Sequence, residues 1–235
     1  MFERKKYKAF AKEQLKNRWL IPVLITLFIA VIENILQATI NNEYLNINLW
    51  KEFFNGNYEV FGSESQSGLS FVFSIISFLV GAIFSYASIR VYLKMSRSPE
   101  PITFGDFFEG FNGWGKAILL NLWQLLWVCL WSLLFIIPGI IKAIAYSQMV
   151  YIMNEYENVS ASKAMKISMT ITKGYKGELF VMSLSFLGWI LLSILTLGIL
   201  NLWITPYTEM SFTNAYHAMM KDALETGKIK IEDLN

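Results

Sequence analysis

The chain has 235 residues, of which 54% are hydrophobic and 16% are charged, and its net charge is +2. Soluble domains carry roughly 25% charged residues, and a soluble surface this apolar would aggregate, so the composition predicts a protein embedded in the lipid bilayer. The basic residues form short clusters beside apolar segments, which argues against a nucleic-acid partner. Because there is one cysteine and one histidine, we expect no internal disulfide, no metal site and no cofactor.

Six apolar segments follow one another along the chain. They cover residues 20–40, 69–93, 117–137, 139–154, 179–197 and 199–219. The first three are each long enough to cross about 30 Å of hydrocarbon, whereas the fourth is short and contains Lys142. Proline and glycine interrupt helices, so Pro138-Gly139 and Gly198 are predicted to be the turns of two helical hairpins. The predicted fold is all-α: one integral membrane domain, residues 1–235, with about six transmembrane helices in three hairpins.

The distribution of lysine and arginine predicts the orientation, because cytoplasmic loops carry an excess of these residues. With a cytoplasmic N-terminus, six crossings place 18 of the 20 basic residues on the inner side, and the exceptions are Lys51 and Lys142. The one long external loop, residues 41–68, then carries four glutamates and a single lysine. We therefore expect a multi-pass protein of the cytoplasmic membrane with both termini in the cytoplasm.

Amphipathic segments precede the first, third and fifth spans, at residues 7–16, 104–111 and 161–172. Each leads into its span through a boundary that combines polar or basic residues with an aromatic ring, as in Lys16-Asn17-Arg18-Trp19. This pattern predicts three units, each a surface helix followed by a hairpin. The alternative is that the water–lipid boundary itself favours Trp, Tyr, Gly and Lys, without any repeat.

Four polar side chains within the predicted spans are candidates for an intramembrane site: Glu33, Lys142, Tyr207 and Glu209. Ionised groups at this depth are costly, so they are functional candidates by default. One hypothesis is a proton- or ion-coupled path through Glu209, and the alternative is a neutral carboxyl that hydrogen-bonds to a neighbouring helix. Lys142 either pairs with Glu33 at a similar depth or extends outward to the interface.

Small residues recur at steps of three or four along the second span, at Ser74, Ser77, Gly81, Ser85 and Ser88. Such a stripe lets helices approach closely, so it predicts a helix-packing seam. The alternative interpretation is the polar wall of a substrate path.

Four lysines lie between the fourth and fifth spans, at Lys163, Lys166, Lys173 and Lys176. They are candidates for contacts with anionic lipid headgroups. The alternative is that they only determine the topology of the chain.

Specific motifs are concentrated in the second half of the chain. They are Phe135-Ile136-Ile137-Pro138-Gly139-Ile140-Ile141-Lys142, Tyr146-Ser147, Lys173-Gly174-Tyr175-Lys176, Gly188-Trp189 and Pro206-Tyr207. With these motifs the chain resembles the bacterial integral membrane family catalogued as domain of unknown function 975, which is distantly similar to the membrane region of some glycerophosphodiester phosphodiesterases. The resemblance implies a bacterial membrane protein and supplies no catalytic residue.

Enzymatic sequence motifs are absent: there is no nucleotide-binding glycine loop, no HExxH and no Ser/His/Asp arrangement in a plausible context. We therefore expect a non-enzymatic protein that binds or organises lipid or a membrane protein partner, with a homo-oligomer as one form of such an assembly. The alternative is a small transporter whose path is lined by Glu209, Tyr207 and Glu33.

Overall fold

A computed structural model of the chain describes residues 2–40 and 67–234. The predicted external loop, residues 41–68, therefore lies almost entirely outside the described residues. Every regular element in the described part is helical, which confirms the all-α fold class. The helices are α1 (Arg4–Leu15), α2 (Leu20–Ile40), α3 (Ser67–Arg97), α4 (Phe104–Glu109), α5 (Trp114–Leu134), α6 (Ile136–Tyr146), α7 (Met149–Glu155), α8 (Ala161–Ile171), α9 (Lys176–Leu195) and α10 (Asn201–Glu225), with 3-10 helices at Gly110–Gly113 and Ile231–Leu234.

The short helices α1, α4 and α8 begin and pack as their sequences dictate. In α1 the side chains of Tyr7, Ala11 and Leu15 are buried at a spacing of four residues, so one face of the helix is apolar. At the start of α4 the Asp106 carboxylate accepts the backbone N–H of Thr103 at 2.7 Å in a capping box. At the start of α8 the Ser160 hydroxyl accepts the N–H of Lys163.

The turn between α5 and α6 lies at Phe135, so the prediction that Pro138-Gly139 forms it is wrong. Phe135 is extended, with φ −158° and ψ 146°, and Pro138 falls in the first turn of α6. A proline is tolerated there because its missing N–H would have no partner within the helix. The turn predicted at Gly198 is confirmed: Gly198 has φ +85° between α9 and α10.

The predicted fourth segment, 139–154, begins at Ile136 and is broken into two helices, α6 and α7. The break falls at Ser147-Gln148, where the Ser147 hydroxyl bonds back to the Ile144 carbonyl at 2.8 Å. The backbone N–H of Gln148 donates to the hydroxyl of Ser168 in α8 at 3.2 Å. The break is therefore stabilised by a neighbouring helix, as irregular backbone at membrane depth requires.

Five stretches of the described residues are long and apolar enough to cross a membrane. They are Leu20–Ala38, Phe71–Arg97, Phe104–Leu134, Ile136–Glu155 and Lys176–Leu195. The sixth predicted segment, 199–219, forms α10 but is not among them, since its second half carries polar residues such as Asn214 and His217. These residues are sheltered, because α10 packs against α1, α2, α3, α8 and α9.

The helices form three units in the predicted order, and each unit packs on the one before it. Each unit has a short helix, an outgoing helix and a returning helix; the returning helices are α3, α6–α7 and α10. The short helices α4 and α8 pack on α3 and α7, and α1 packs on α10 of the last unit. The outgoing helices α2, α5 and α9 each contact their own returning helix and that of the preceding unit. The packing is therefore cyclic, with α1 and α2 closing the ring.

The two ends of the bundle differ in packing. We name the end that carries α1, α4 and α8 the amphipathic end, and the end that carries the α5–α6 and α9–α10 turns the hairpin end. Large buried side chains such as Leu15, Phe107 and Ile171 lie toward the amphipathic end. At the hairpin end Leu133 and Leu195 are 83% and 80% exposed. The outer surface there is apolar, which suits lipid rather than water as its solvent.

We expect Gly110→Ala to destabilise the protein. A Cβ at residue 110 would lie 2.5 Å from the Ala87 Cα of α3, so the backbone would have to shift, and overpacking of this kind costs about 1–3 kcal/mol. The measurement is thermal unfolding of the purified protein in detergent. Gly115→Ala is the matched control, because nothing lies within 4 Å of a Cβ at that position. Equal unfolding temperatures for the two variants would contradict the tight contact between α3 and the start of the second unit.

Candidate functional site

A cavity of about 200 Å³ lies between α2, α3 and α10. This volume has room for about six water molecules. Its polar wall consists of two carboxylates and five hydroxyls, from Glu33, Glu209, Thr26, Ser85, Ser88, Tyr92 and Thr205. Its apolar wall includes Ile29, Phe84 and Ile89. The cavity therefore combines candidate residues from three separate parts of the sequence.

Glu209 forms the α10 side of the cavity. Thr205 and Glu209 are four residues apart, so they face the same direction on the helix, and both line the cavity. Pro206 lies inside the helix between them. The Thr213 hydroxyl is not on the cavity wall; it donates a hydrogen bond to the Glu209 backbone carbonyl at 2.8 Å. The Glu209 side chain is partly accessible, because it borders an open space rather than a packed core.

Glu33 forms the α2 side and is more exposed than Glu209. A Cβ added at Gly81 would meet only the Glu33 Oε1 atom, at 3.9 Å, so no helix approaches α3 closely at that residue. Gly81, Ser85 and Ser88 all line the cavity. In this part of the predicted stripe the small residues therefore form the wall of a polar space rather than a tight helix-packing seam. This agrees with the alternative interpretation of the stripe given in the sequence analysis. Ser74 and Ser77, nearer the start of α3, are not on this wall.

Lys142 does not contact Glu33. Its ammonium lies over the Trp131 ring, 4.4 Å from the ring centroid, and 5.9 Å from that of Tyr146. The ion pairs found among the described residues include none between Lys142 and Glu33. The cation is stabilised by aromatic faces of α5 and α6 instead, so the prediction of a Glu33–Lys142 pair is wrong.

Tyr207 is also outside the cavity. It precedes Glu209 by two residues, which on an α-helix rotates the side chain by about 200°. Its ring packs edge-on against Phe186 of α9, with ring centroids 5.4 Å apart, and lies 5.7 Å from the ammonium of Lys12 in α1. The structure therefore separates Tyr207 from Glu209 and assigns it to the packing of α1, α9 and α10.

The candidate lipid-contacting lysines lie at the amphipathic end. Lys163 and Lys166 belong to α8, whose opposite face is buried, and Lys173 follows it in the turn before α9. Lys166 and Lys173 are exposed, and Lys176 at the first position of α9 is partly exposed. Their contact with lipid headgroups stays a prediction.

The cavity wall is lined by oxygen atoms and carries no lysine or arginine among the described residues. Carboxylate and hydroxyl oxygens in a sheltered site attract cations. The described part of the chain contains no group of three or more His, Cys, Asp or Glu side chains placed to hold a metal ion. Chemically, the arrangement fits a small cation held by two carboxylates and several hydroxyls rather than a tight metal centre.

Three buried tyrosines that the sequence analysis missed lie one on each returning helix, and the first of them is on the cavity wall. They are Tyr92, Tyr151 and Tyr216, all at most 4% exposed. The rings of Tyr151 and Tyr216 are stacked with centroids 5.0 Å apart, and Tyr92 and Tyr151 both interact electrostatically with Glu209. Tyr151 and Tyr216 each follow the first residue of their returning helix by 15 positions, a correspondence that is visible only once the structure shows where those helices begin.

A buried charged cluster around Glu155 joins the three returning helices at the amphipathic end. The Glu155 carboxylate accepts the Tyr216 hydroxyl and pairs with Arg97 of α3. His217 of α10 lies 3.8 Å from the same carboxylate, and its Nε2 atom is 2.8 Å from the Ser96 hydroxyl. The cluster lies between Glu209 and the amphipathic end, since Tyr216 and His217 follow Glu209 by about two turns of α10.

Comparison with known proteins identifies one family. The family described as "Protein of unknown function (DUF975)" matches residues 1–145 and 133–223, which together make up most of the chain. No curated protein and no solved structure matches.

We expect Tyr216→Phe to lower the free energy of unfolding by about 1–3 kcal/mol, because it removes a buried hydrogen bond to a carboxylate. Tyr207→Phe is the matched control on the same helix, since no hydrogen bond of its hydroxyl is found in the described residues and its ring contacts remain. Denaturant titration of both purified proteins measures the difference. Equal losses in the two variants would contradict a specific role for the Tyr216–Glu155 bond.

Proposed function

The chain belongs to the DUF975 family of proteins of unknown function, and from this premise we propose that it is a small permease that carries a cation across the membrane. The proposal takes up the transporter alternative from the sequence and places the substrate in the cavity between α2, α3 and α10. The observation that carries it is the convergence of Glu33 and Glu209 on one hydroxyl-lined cavity. The proposed activity is non-enzymatic.

The lining of the cavity supports a cationic substrate. Two carboxylates face a space with no basic residue on its described wall, so the charge of the wall is negative and attracts a cation. Rings of Asp and Glu select cations in membrane pores for the same reason. The volume of about 200 Å³ suits a small amine or a partly hydrated inorganic cation.

The two carboxylates lie at a similar depth. Glu33 is about 11 Å from the end of α2 at the hairpin side, and Glu209 is about 12 Å from the start of α10 on the same side, at 1.5 Å per residue. Both can therefore contact one bound cation, with the more exposed Glu33 as the entry group and Glu209 as the binding group. Because Tyr151, Tyr216 and Glu155 lie between Glu209 and the amphipathic end, passage requires the returning helices to separate there.

The proposal also specifies which membrane holds the protein and which side its termini face. We place the chain in the cytoplasmic membrane with the amphipathic end in the cytoplasm, as the basic residues predict. Both termini then lie inside only if α10 crosses the membrane as a sixth span. Its 25 residues are long enough, and Ser211, Thr213 and Asn214 in its second half are buried.

We expect Glu209→Gln to abolish transport. Purified protein in liposomes is tested for uptake of labelled sodium, rubidium and methylammonium, and wild type should take up at least one of them faster than protein-free liposomes. Loss of the carboxylate removes contacts worth about 1.5–3 kcal/mol to a bound cation, so uptake should fall by about tenfold or more.

The matched control for transport is Glu225→Gln at the end of the same helix. Glu225 is exposed and pairs only with Lys221, at 3.8 Å, among the described residues, so this variant should transport like wild type. Wild-type uptake equal to that of empty liposomes for all three probes would contradict the proposal. So would equal uptake by wild type and Glu209→Gln.

Residue 228 should be inaccessible from outside intact cells. In a Cys129→Ser background, Lys228→Cys should react with a membrane-impermeant maleimide only after the cells are permeabilised. Gly62→Cys, in the predicted external loop, is the control and should react in intact cells. The reverse labelling pattern would show that the chain has the opposite orientation.

A further inference from the structure

A second polar region lies at the amphipathic end, away from the cavity at Glu209. Two adjoining cavities, of about 460 and 540 Å³, run along the end of α3 between the start of α5 and α7. They share three wall residues, Arg90, Glu109 and Asn154, so they form one continuous groove. We call it the α3–α5–α7 groove.

The charges on the groove are balanced. The first cavity has three basic and three acidic residues on its wall, and the second has two of each. Two of the basic groups already form ion pairs within the protein: Lys94 with Asp106, and Arg97 with Glu155. A groove with this lining favours neither a simple anion nor a simple cation.

Arg90 and Glu109 are the charged groups that both cavities share. Neither forms an ion pair with any residue in the described part of the chain, although Lys94 is within electrostatic range of Glu109. The Asn154 Oδ1 atom between the cavities is buried and accepts no hydrogen bond there, while its amide nitrogen donates to the Tyr86 and Val150 carbonyls. Because this oxygen is buried, the groups that the groove offers to a ligand are the exposed guanidinium of Arg90 and the exposed carboxylate of Glu109.

The groove lies at the level of the membrane boundary and continues into an apolar surface. Trp114 and Lys116 line it at the start of α5, in the position where tryptophan and lysine mark the water–lipid interface. Trp114 is 61% exposed, and Leu119 and Leu122 further along α5 are also exposed. A ligand with a polar head in the groove would have a path along α5 for hydrocarbon chains.

From these observations we propose that the α3–α5–α7 groove binds the zwitterionic headgroup of a phospholipid of the phosphoethanolamine class. The guanidinium of Arg90 binds the phosphate, as arginine is suited to do. The carboxylate of Glu109 accepts the ammonium, and the acyl chains lie along α5. This site uses none of the lysines of α8 and is independent of the cavity at Glu209.

Native mass spectrometry of the full-length protein in detergent tests the site. Dioleoyl phosphatidylethanolamine and dioleoyl phosphatidylglycerol are titrated separately onto wild type, Arg90→Gln and Glu109→Gln. The apparent affinity for phosphatidylethanolamine should exceed that for phosphatidylglycerol, and each variant should weaken it by about threefold or more, as expected for a partly solvated ion pair. Lys221→Gln, which changes an exposed basic residue near the end of α10, should bind like wild type.

Each result bears on the proposal. Equal binding of the two lipids, or an equal loss in Lys221→Gln, would overturn it in favour of non-specific attraction. A further titration with soluble phosphoethanolamine separates the lipid from a free solute: soluble ligand that binds as tightly as the lipid would overturn the membrane source of the headgroup. Size-exclusion profiles identical to wild type establish that the variants, both at exposed positions, remain folded.

Discussion

The closure of α1 on α10 is the contact on which the ring of three units depends. It joins the first and last units through Asn214, whose amide donates to the Gln14 side chain at 2.8 Å, while Gln14 itself donates to the Ser96 carbonyl of α3. Without this closure the polar second half of α10 would face lipid, where unsatisfied polar groups cost several kcal/mol each. The amphipathic helix at the start of the chain therefore does more than rest on the membrane surface. It completes the environment that lets a polar helix occupy the centre.

The cyclic packing explains why polar groups collect in the middle of the bundle. Each returning helix is enclosed by two outgoing helices and at least one short helix, so its inward face is shielded from lipid and free to carry Tyr92, Tyr151 and Tyr216. Where the returning helices meet near the amphipathic end, the Glu155 cluster holds them together. Toward the hairpin end α2, α3 and α10 leave the cavity between Glu33 and Glu209. In the proposed transport function, the cavity holds the substrate and the packed returning helices beyond it are the part that must open.

The charged groups fall into two classes with different physical roles. Lys94 and Arg97 are neutralised by Asp106 and Glu155, and these pairs connect α3 to α4 and α7. Arg90 and Glu109 line the same groove without such partners among the described residues, and removing them from the groove would not break a structural contact. Paired charges are therefore assigned to the fold, and the unpaired ones on a shared wall are assigned to a ligand.

The sequence by itself determined that the helices are apolar enough for a lipid bilayer, that the fold is all-helical, that three amphipathic helices are present and that the chain turns at Gly198. The hydropathy of a segment reflects the free energy of placing it in lipid, and the helical periodicity of its apolar residues shows which face of the helix is buried. Only the tertiary structure decided that Glu33 and Glu209 share a cavity, that Tyr207 lies outside it and that Lys142 rests on Trp131. It also moved the α5–α6 turn to Phe135. The physical reason is that hydropathy determines the depth of a side chain but not the direction it faces around its helix axis, and that direction depends on which neighbouring helix packs against it.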